Sequence, residues 1–319
     1  MTGVYRGIDE LPAGFGPSVA AIGNFDGVHR GHQQILKAVV AEARARGMRA
    51  VAVTFDPHPE RCLRPASAPA LLTPMAYRLS FLAETGVDAI VVLRFDEKLA
   101  RLSAREFVQC ALVDAMSVRG LHEGGNFRFG YKAEAGVPEL AAFGAEFGFG
   151  LAVHEPVHVH GLEVSSSAIR ALVAAGDVRR ARWMLGRPFS VRSRQKRDRG
   201  LGGKLLVPTI NFAEYEGLLP AFGIYVTRLR VGSQCFESVS SLGIRPTFES
   251  AGFALETHIL DYEPIEIDET TPLELEFLHR LRDEEKYPTV ELLKAQIMRD
   301  VAKAKRWFRI HRAMHPSAS

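Results

Sequence analysis

The sequence predicts an α/β domain with a parallel sheet, followed by a small antiparallel β-barrel domain that ends in a helix. Its 319 residues are about twice the usual length of one domain. The first half alternates short apolar runs with longer amphipathic segments, a pattern typical of a parallel sheet covered by helices. After Gly186, Arg187 and Pro188 the helical period disappears, and short β-rich runs separated by Gly and Pro take over. We therefore expect two domains, residues 1–186 and 187–319.

Composition is that of an ordinary globular protein, with 47% hydrophobic and 24% charged residues. A formal net charge of +3 gives no strong field that would favour nucleic acid or an anionic membrane as a partner. The three cysteines are too far apart for a CxxC metal site, and their odd number does not fit a disulfide framework. No basic leader with an apolar core and no run of about 18 apolar residues is found. The sequence therefore predicts a cytoplasmic protein with neither a membrane nor a nucleic-acid partner.

Five short apolar runs predict the strands of the first domain, and they cover residues 19–22, 50–55, 89–95, 120–123 and 151–157. A helix is expected over 33–46, because apolar side chains recur there at helical spacing: Ile35, Leu36, Val39, Val40 and Ala43. Two further helices are expected over 165–175 and 178–185, separated by Gly176.

The second domain is predicted to contain β-strands over residues 224–231, 235–242, 255–260 and 273–277. A final helix is expected over 289–308. We expect its buried stripe to consist of Val290, Leu293, Ile297, Val301 and Trp307, beneath many charged residues.

The first candidate site lies between the first predicted strand and the following helix, and it reads Gly23-Asn24-Phe25-Asp26-Gly27-Val28-His29-Arg30-Gly31-His32. A helix N-terminus offers backbone N–H groups and a positive dipole end, and glycines allow a phosphate to approach the backbone. Two imidazoles can add donors to the same anion, as transfer of a nucleotidyl group requires. A histidine at a helix start can also be only a cap or a packing residue.

Three further segments follow in order: Thr54-Phe55-Asp56-Pro57-His58-Pro59, Gly125-Asn126-Phe127-Arg128-Phe129-Gly130 and Ser165-Ser166-Ser167-Ala168-Ile169-Arg170. Each has a simple structural interpretation as a strand stop, a pair of core aromatics or a helix cap. The last segment also fits a second phosphate site, because it combines hydroxyl groups and an arginine at a helix start.

In this order the four segments resemble the HxGH nucleotidyltransferase superfamily, and specifically the prokaryotic bifunctional riboflavin kinase/FAD synthetase family. The resemblance implies a Rossmann-like FMN adenylyltransferase domain. It implies that His29 and His32 stabilise the transition state and that Ser166 and Arg170 hold phosphates. Further nucleotide-binding residues would be Gly23, Asn24, Phe25, Asp26, Gly31 and Ser165, with Asp26 either orienting a histidine or contacting the nucleotide. Flavin-binding residues would be Phe55, Asn126 and Arg128.

In the second half, three segments resemble riboflavin kinase motifs: Pro208-Thr209-Ile210-Asn211, Ser241 to Phe248, and Leu255 to Asp261. Phosphorylation of a primary alcohol needs a carboxylate base and a metal that holds the donor phosphates. Thr209 and Asn211 fit a site for Mg²⁺ and ATP, and Glu256 fits the base. A glutamate on an alternating strand can also simply face water, and a Pro-Thr pair can simply bend the chain.

The family pattern is altered just before Pro208, where Leu206 and Val207 replace the usual residues and Ile210 replaces alanine. An FMN adenylyltransferase whose kinase domain is impaired or regulatory is therefore the alternative. The stretch 187–204 contains seven basic residues and one aspartate. A flavin-responsive regulator or an RNA-binding module without catalysis is a second alternative. Taken with the family, the sequence implies conversion of riboflavin to FMN and of FMN to FAD, with ATP and Mg²⁺. It makes no prediction of oligomeric state.

Overall fold

The computed structural model describes residues 2–196, 209–244, 253–261, 267–268 and 270–314. The chain divides into two compact units, Met1–Ala168 and Ile169–Ser319. Within the described ranges, no helix combines the length and the apolar composition that a membrane crossing requires.

The first unit contains a parallel sheet, as predicted, but with six strands instead of the five expected, in the order β1-β4-β3-β2-β5-β6 among the described residues. These strands are β1 (Gly3–Tyr5), β2 (Ser18–Ile22), β3 (Arg49–Asp56), β4 (Ala89–Arg94), β5 (Val118–Gly124) and β6 (Gly150–His154). A small hairpin follows, formed by β7 (His158–Val159) and β8 (Leu162–Glu163). The helices are α1 (Arg30–Ala45), α2 (Pro59–Leu63), α3 (Met75–Ala83), α4 (Glu97–Ala100), α5 (Ala104–Phe107) and α6 (Val137–Phe147). A π-helical segment, Val108–Asp114, continues α5.

Strand β2 lies at the centre of this sheet, and all five of its residues are buried. It pairs in parallel with β3 on one side and with β5 on the other. After β2, the next two strands of the chain, β3 and β4, are added on one side of it. The later strands β5 and β6 are added on the other side. The loops after β2 and β5 therefore meet at the carboxyl edge, on either side of the point where strand order reverses. This is the place where open α/β sheets bind their ligands.

Apolar side chains cover both faces of the sheet. On one face, β2 and β3 pack against Leu36, Val39 and Ala43, which lie three or four residues apart on α1. On the other face, the core includes Phe107 and Leu140. Both faces must be covered in a parallel sheet, which explains why its strands are continuous apolar runs in the sequence.

The second unit contains a curled antiparallel sheet with the strand order β10-β13-β12-β11-β14-β9 among the described residues. Its strands are β9 (Phe189–Arg194), β10 (Thr209–Asn211), β11 (Gly223–Val231), β12 (Gln234–Ile244), β13 (Phe253–Ile259) and β14 (Pro272–Arg282). Its helices are α8 (Val178–Leu185), α9 (Val290–Met314) and most of α7 (Ser166–Ala174), which begins in the first unit. A bridge between Gln195 and Phe212 joins the end of β9 to the end of β10. The two edge strands therefore meet, and the predicted barrel is confirmed.

Helix α9 differs from the prediction along its N-terminal half. Val290, Leu293 and Ile297, expected in the buried stripe, are 50%, 39% and 36% exposed. The buried positions of α9 are Asp300, Ala304 and Phe308. Asp300 is buried because its carboxylate pairs with the Arg282 guanidinium at 2.7 Å. The part of the predicted stripe before Val301 was therefore wrong. Its apolar side chains lie on the surface, and the first buried position of the helix, Asp300, is polar.

Candidate active sites

The loop between β2 and α1, residues 23–29, has an unusual backbone conformation. The φ angles of Phe25, Gly27 and Val28 are 48°, 87° and 38°. Glycine adopts positive φ readily, but a residue with a Cβ in this region costs about 1–3 kcal/mol and persists only where its surroundings hold it. The sequence predicts a loop here. The structure adds that the loop is held in one strained conformation.

His29 and His32 come together at the start of α1. Their ring centroids are 3.6 Å apart and their planes meet at 18°. His29 is the N-cap residue of α1, and its Nδ1 accepts a hydrogen bond from the backbone N–H of His32 at 3.3 Å. A neutral imidazole that accepts at Nδ1 carries its hydrogen on Nε2. His29 therefore caps the helix with one nitrogen and retains a donor on the other.

Two glycines allow aromatic rings to fold over this loop. A Cβ on Gly31 would lie 3.2 Å from Cε1 and Nδ1 of His29. A Cβ on Gly23 would lie 3.2 Å from the ring of Phe25. Phe25 in turn packs edge-on against His32, with ring centroids 5.2 Å apart. Close ring packing therefore favours glycine at both positions, in addition to any approach of phosphate.

The Asp26 carboxylate is directed into the protein. Its Oδ2 accepts a hydrogen bond from the backbone N–H of Leu72 at 3.0 Å, and its Oδ1 accepts one from that of Thr73 at 2.9 Å. Nη2 of Arg78 lies 3.9 Å from Oδ1, and both side chains are 1% exposed. The carboxylate of Asp26 thus anchors the loop to the segment before α3. Asn24 is held by a different contact, because its backbone carbonyl oxygen accepts a hydrogen bond from the Thr54 hydroxyl at 3.2 Å.

The start of α7 lies against the same loop within the first unit. The Ser166 hydroxyl donates to the carbonyl oxygen of Asp26 at 2.8 Å. The Ser165 hydroxyl accepts from the backbone N–H of Ala168 at 3.2 Å and so caps α7. Arg170 is half-buried on α7, beyond the boundary between the two units. The structure therefore brings Ser165 and Ser166 to the histidine loop, and the role of Arg170 stays a prediction.

The predicted flavin residues lie at the carboxyl ends of β3 and β5, the strands on either side of β2. Phe55 is the penultimate residue of β3 and packs edge-on against Phe95, with ring centroids 5.8 Å apart. Asn126 and Arg128 are exposed and follow β5. The guanidinium of Arg128 donates to the carbonyl oxygen of Ala133 at 2.7 Å, which holds it within its own loop.

A buried carboxyl group lies at the same edge, between β2 and β5. Glu123 is 3% exposed, and its Oε1 accepts from the backbone N–H of Ile22 at 2.8 Å. Burial raises the pKa of the Glu123 carboxyl well above its usual range, and the hydrogen bond from Ile22 opposes that shift in part. The pairing of β2 with β5 ends at Ala20 and Leu121, so the Glu123 side chain replaces a backbone partner where the two strands separate.

In the second unit, β10 and β13 bring the predicted kinase residues together. The register pairs Asn211 with Glu256 and Thr209 with His258. Alternate residues of a strand share a face, so Thr209 and Asn211 lie on the face that carries Glu256. Directly opposite side chains have Cβ atoms about 4.5–5.5 Å apart. On the other side of Glu256, β12 places Ser241 opposite it, so Ser241, Glu256 and Asn211 form a row across three strands.

Asn211 presents an oxygen suitable for a metal ion. Its Oδ1 is buried and has no hydrogen-bond partner among the residues that the structure describes. Amide and hydroxyl oxygens are ligands that Mg²⁺ accepts, so Asn211 and Thr209 fit the predicted ion. Pro208, Leu206, Val207, the glycines of 200–203 and residues 245–248 lie outside the described residues.

Two residues beside these clusters were not singled out in the sequence: Thr73 and Arg78. A signal exists for Arg78, because it stands among apolar residues in the helical segment before Leu79, where a charge has to be paired if it is buried. No local signal marks Thr73, whose partners lie 46 and 47 residues earlier.

Comparison with known proteins gives matches in both halves. The family model described as FAD synthetase matches residues 13–168, and that described as riboflavin kinase matches residues 185–308. A bifunctional riboflavin kinase/FMN adenylyltransferase of Pseudomonas fluorescens is 36% identical over 94% of this chain and 96% of its own length. A protein of the same name from Escherichia coli K12 is 33% identical over 91% of this chain and 92% of its own.

A solved structure has the same fold over almost the whole chain. The crystal structure titled a macrolide-efflux protein, from Streptococcus pneumoniae, superposes with a TM-score of 0.84 and covers 96% of this chain and 99% of that one. The two sequences are 24% identical, so this similarity concerns the fold alone.

Proposed function

Because the chain belongs to the bifunctional riboflavin kinase/FMN adenylyltransferase family, we propose that the two clusters described above are its two active sites. The chain phosphorylates riboflavin to FMN and adenylylates FMN to FAD, with ATP as the donor in both reactions. The proposal assigns adenylylation to the loop between β2 and α1 and phosphorylation to the face shared by β10 and β13.

In adenylyl transfer, a phosphate oxygen of FMN attacks the α-phosphorus of ATP, and pyrophosphate leaves as that new P–O bond forms. Charge builds on the α-phosphoryl oxygens and on the departing pyrophosphate. We assign His29 and His32 to donate to that charge, since the hydrogen on His29 Nε2 is directed away from the helix cap. Ser165, Ser166 and Arg170 are assigned to the phosphates.

The remaining proposed residues of this site lie along the carboxyl edge of the sheet. Gly23, Asn24, Phe25 and Gly31 shape the loop that receives the nucleotide. For Asp26 we favour the orienting role, because its carboxylate is occupied by protein partners. Phe55, Asn126 and Arg128 are assigned to the flavin, since they follow the strands on both sides of β2.

In the kinase reaction, the 5′-hydroxyl of riboflavin attacks the γ-phosphorus of ATP, and ADP leaves. We assign Glu256 as the base that accepts the hydroxyl proton. Asn211 and Thr209 would hold Mg²⁺ through the orphaned Oδ1 and the hydroxyl, respectively. When bound, the ion supplies positive charge to the phosphates of ATP.

The observation that carries the kinase assignment is the strand register that places Asn211 opposite Glu256. A metal ligand and a base that serve the same phosphoryl transfer have to lie close together. The register brings Asn211 and Glu256 next to each other on neighbouring strands. The alternative is an adenylyltransferase whose kinase half is impaired or regulatory. In that case the alignment of Asn211 with Glu256 would not lead to phosphorylation of riboflavin.

The cytoplasm is the compartment we propose. All three cysteines are free and exposed, which suits a reducing environment. Small molecules are the proposed partners, namely ATP, riboflavin and FMN.

Purified protein incubated with Mg²⁺ and ATP, with either riboflavin or FMN, tests the function directly when the flavins are separated by chromatography. We expect FMN and then FAD from riboflavin, and FAD from FMN. FAD from FMN without any FMN from riboflavin would select the alternative. Salt-dependent RNA binding without ATP turnover would contradict both and favour a non-catalytic module.

A further inference from the structure

A cluster of buried polar groups binds the loop of residues 23–29 on its protein side. No step of the reaction proposed above uses these groups. The Thr73 hydroxyl is the centre of the cluster. It donates to Oδ1 of Asp26 at 3.1 Å and accepts from the backbone N–H of Gly27 at 2.9 Å. One side chain therefore fixes two consecutive residues of the loop.

Arg78 completes the cluster from α3. Its Nη2 lies 3.9 Å from Oδ1 of Asp26 and donates to the carbonyl oxygen of Thr73 at 3.3 Å. The side chain is 1% exposed, although a guanidinium is rarely buried so completely in a protein. A buried ion pair is weak evidence for stability, and positioning is the better-attested reason for retaining one.

The loop requires such a fastening. Phe25 and Val28 have positive φ angles, which a residue with a side chain keeps only where neighbouring groups over-determine it. Asp26 and Gly27, the two residues fixed by Thr73, lie between them. The hydrogen bonds from the 72–78 segment thus act on the part of the loop that is least able to hold its own conformation.

The cluster also reaches both groups of phosphate-binding residues. Asp26 lies three residues before His29, so its position sets where the two stacked imidazoles begin. The carbonyl oxygen of Asp26 accepts from Ser166, so the same residue ties the start of α7 to the loop. A displacement of Asp26 would move the histidines and Ser166 together.

We propose that Thr73 and Arg78 are positioning residues for adenylyl transfer, acting through Asp26 on His29, His32 and Ser166. The inference rests on the proposed function of this loop and adds two residues that are buried and act through Asp26. A misplacement of reacting groups by about 1 Å can lower a rate about 100-fold. The effect is therefore expected in kcat more than in binding.

The test replaces Thr73 by Val, which keeps the branched shape and removes the hydroxyl, and by Ser, which keeps the hydroxyl. We expect Thr73→Val to lower kcat for FMN adenylylation about 10- to 100-fold, while the KM for ATP changes far less. Thr73→Ser should retain activity near that of the parent. Riboflavin phosphorylation should be unchanged in both.

Ser18→Ala is the matched control, because Ser18 is also buried and lies at the end of β2 away from the loop, where its hydroxyl donates to the carbonyl oxygen of Met116. It removes a buried hydroxyl from the same unit without touching the loop, so its adenylylation kcat should equal the parent's. Arg78→Lys, which keeps the charge, provides a second variant should Thr73→Val not fold. We expect it to lower kcat for FMN adenylylation in the same way at a temperature where its melting curve shows a folded protein.

Two outcomes would overturn the inference. An active parent whose folded Thr73→Val or Arg78→Lys variant keeps the parent's kcat for adenylylation, with only a lower melting temperature, would show a merely structural role. A parent that makes no FAD from FMN would overturn the proposed function of this loop, and the inference with it.

Discussion

The imidazole rings of His29 and His32 stack at 3.6 Å between centroids, while Nδ1 of His29 accepts the backbone N–H of His32. Capping and the proposed donation to phosphate therefore fall on different nitrogen atoms of the His29 ring. A substitution that keeps the cap and removes the second nitrogen separates the two roles.

Asparagine provides that separation at position 29, because it is among the best N-cap residues and has no counterpart of Nε2. We expect His29→Asn to lower FAD formation from FMN by about 10²-fold or more, the usual cost of losing a preorganised donor. His32→Asn should have a similar effect. Steady-state assays with FMN and ATP measure both, with riboflavin phosphorylation in the same samples as the internal control. An equal fall in both activities would contradict the two-site arrangement.

Glu256→Gln tests the base of the kinase reaction. The amide keeps the shape and the hydrogen-bonding capacity of the side chain but cannot accept the proton. Turnover of riboflavin should fall about 10²- to 10⁴-fold, with little change in melting temperature. Adenylylation of added FMN should be unaffected. Glu291→Gln, at an exposed position in the first turn of α9, is the matched control and should retain both activities. Parental kinase turnover in Glu256→Gln would remove Glu256 from the mechanism.

Asn211 can be tested through the Mg²⁺ dependence of the kinase. Asn211→Leu removes the buried oxygen, and we expect the Mg²⁺ concentration for half-maximal riboflavin phosphorylation to rise about 10-fold or more. Asn211→Asp keeps an oxygen in place and should remain closer to the parent. The Mg²⁺ dependence of FMN adenylylation should not move in either variant. Identical Mg²⁺ titrations of riboflavin phosphorylation for the parent and Asn211→Leu would exclude this oxygen as a ligand.

Glu123 should make stability depend on pH. Its folded-state pKa is raised, so the unfolded chain ionises first as pH increases. Stability is therefore lost from about pH 4.5, the ordinary value, up through the folded pKa. Glu123→Gln keeps the acceptor for Ile22 and removes the ionisation. We expect its stability relative to the parent to be higher at pH 7 than at pH 4, measured by denaturant unfolding.

Glu123→Leu is the contrasting variant, since it leaves the Ile22 N–H buried without its acceptor. That loss costs about 1–3 kcal/mol at any pH. A parent and a Glu123→Gln variant with parallel stability profiles from pH 4 to 7 would contradict a raised pKa.

Separate fragments test where the two domains divide. The sequence predicts a boundary at 186/187, whereas the compact units meet between Ala168 and Ile169. The residues between the two boundaries form most of α7 and all of α8. Helix α8 packs on β9 and β14, and its residues Met184 and Leu185 are buried. We expect fragment 187–319 to be soluble but less stable than fragment 169–319 by about 3 kcal/mol or more, since two large apolar side chains are lost. Calorimetry of both fragments measures this, and equal stabilities would support the boundary at 186/187.

The central strands of the first unit were predictable because each carries its own signal, whereas β1 was not predicted. A buried parallel strand is a short apolar run, and β2, β3 and β4 read that way. The N-terminal half of α9 was not predictable by the same reasoning. Val290, Leu293 and Ile297 have helical spacing, but spacing states only that a face is apolar, and not that another element covers it.

The candidate sites divide in the same way. The histidine pair could be found because both members lie within one turn of a helix. The register that aligns Asn211 with Glu256 depends on which strands are neighbours, and 45 residues separate the two along the chain. The role of Thr73 depends on a loop returning to β2, which no local pattern records. Motif resemblance predicted the reacting residues proposed above, whereas the residues that hold them in place could be found only from the fold.

The hydrogen bond from Ser166 to Asp26 also has a consequence for the newly made chain. Its two partners are 140 residues apart, and synthesis at roughly 5–20 residues per second separates their appearance by about 7 to 28 s. During that interval a ribosome-bound chain can pair β2 with β3 and can bind Asp26 to Thr73, but it lacks the final tie to α7. Adenylyl transfer is therefore expected to begin only once most of the first unit has been translated, and translation products that stop before Ser166 should be inert towards FMN.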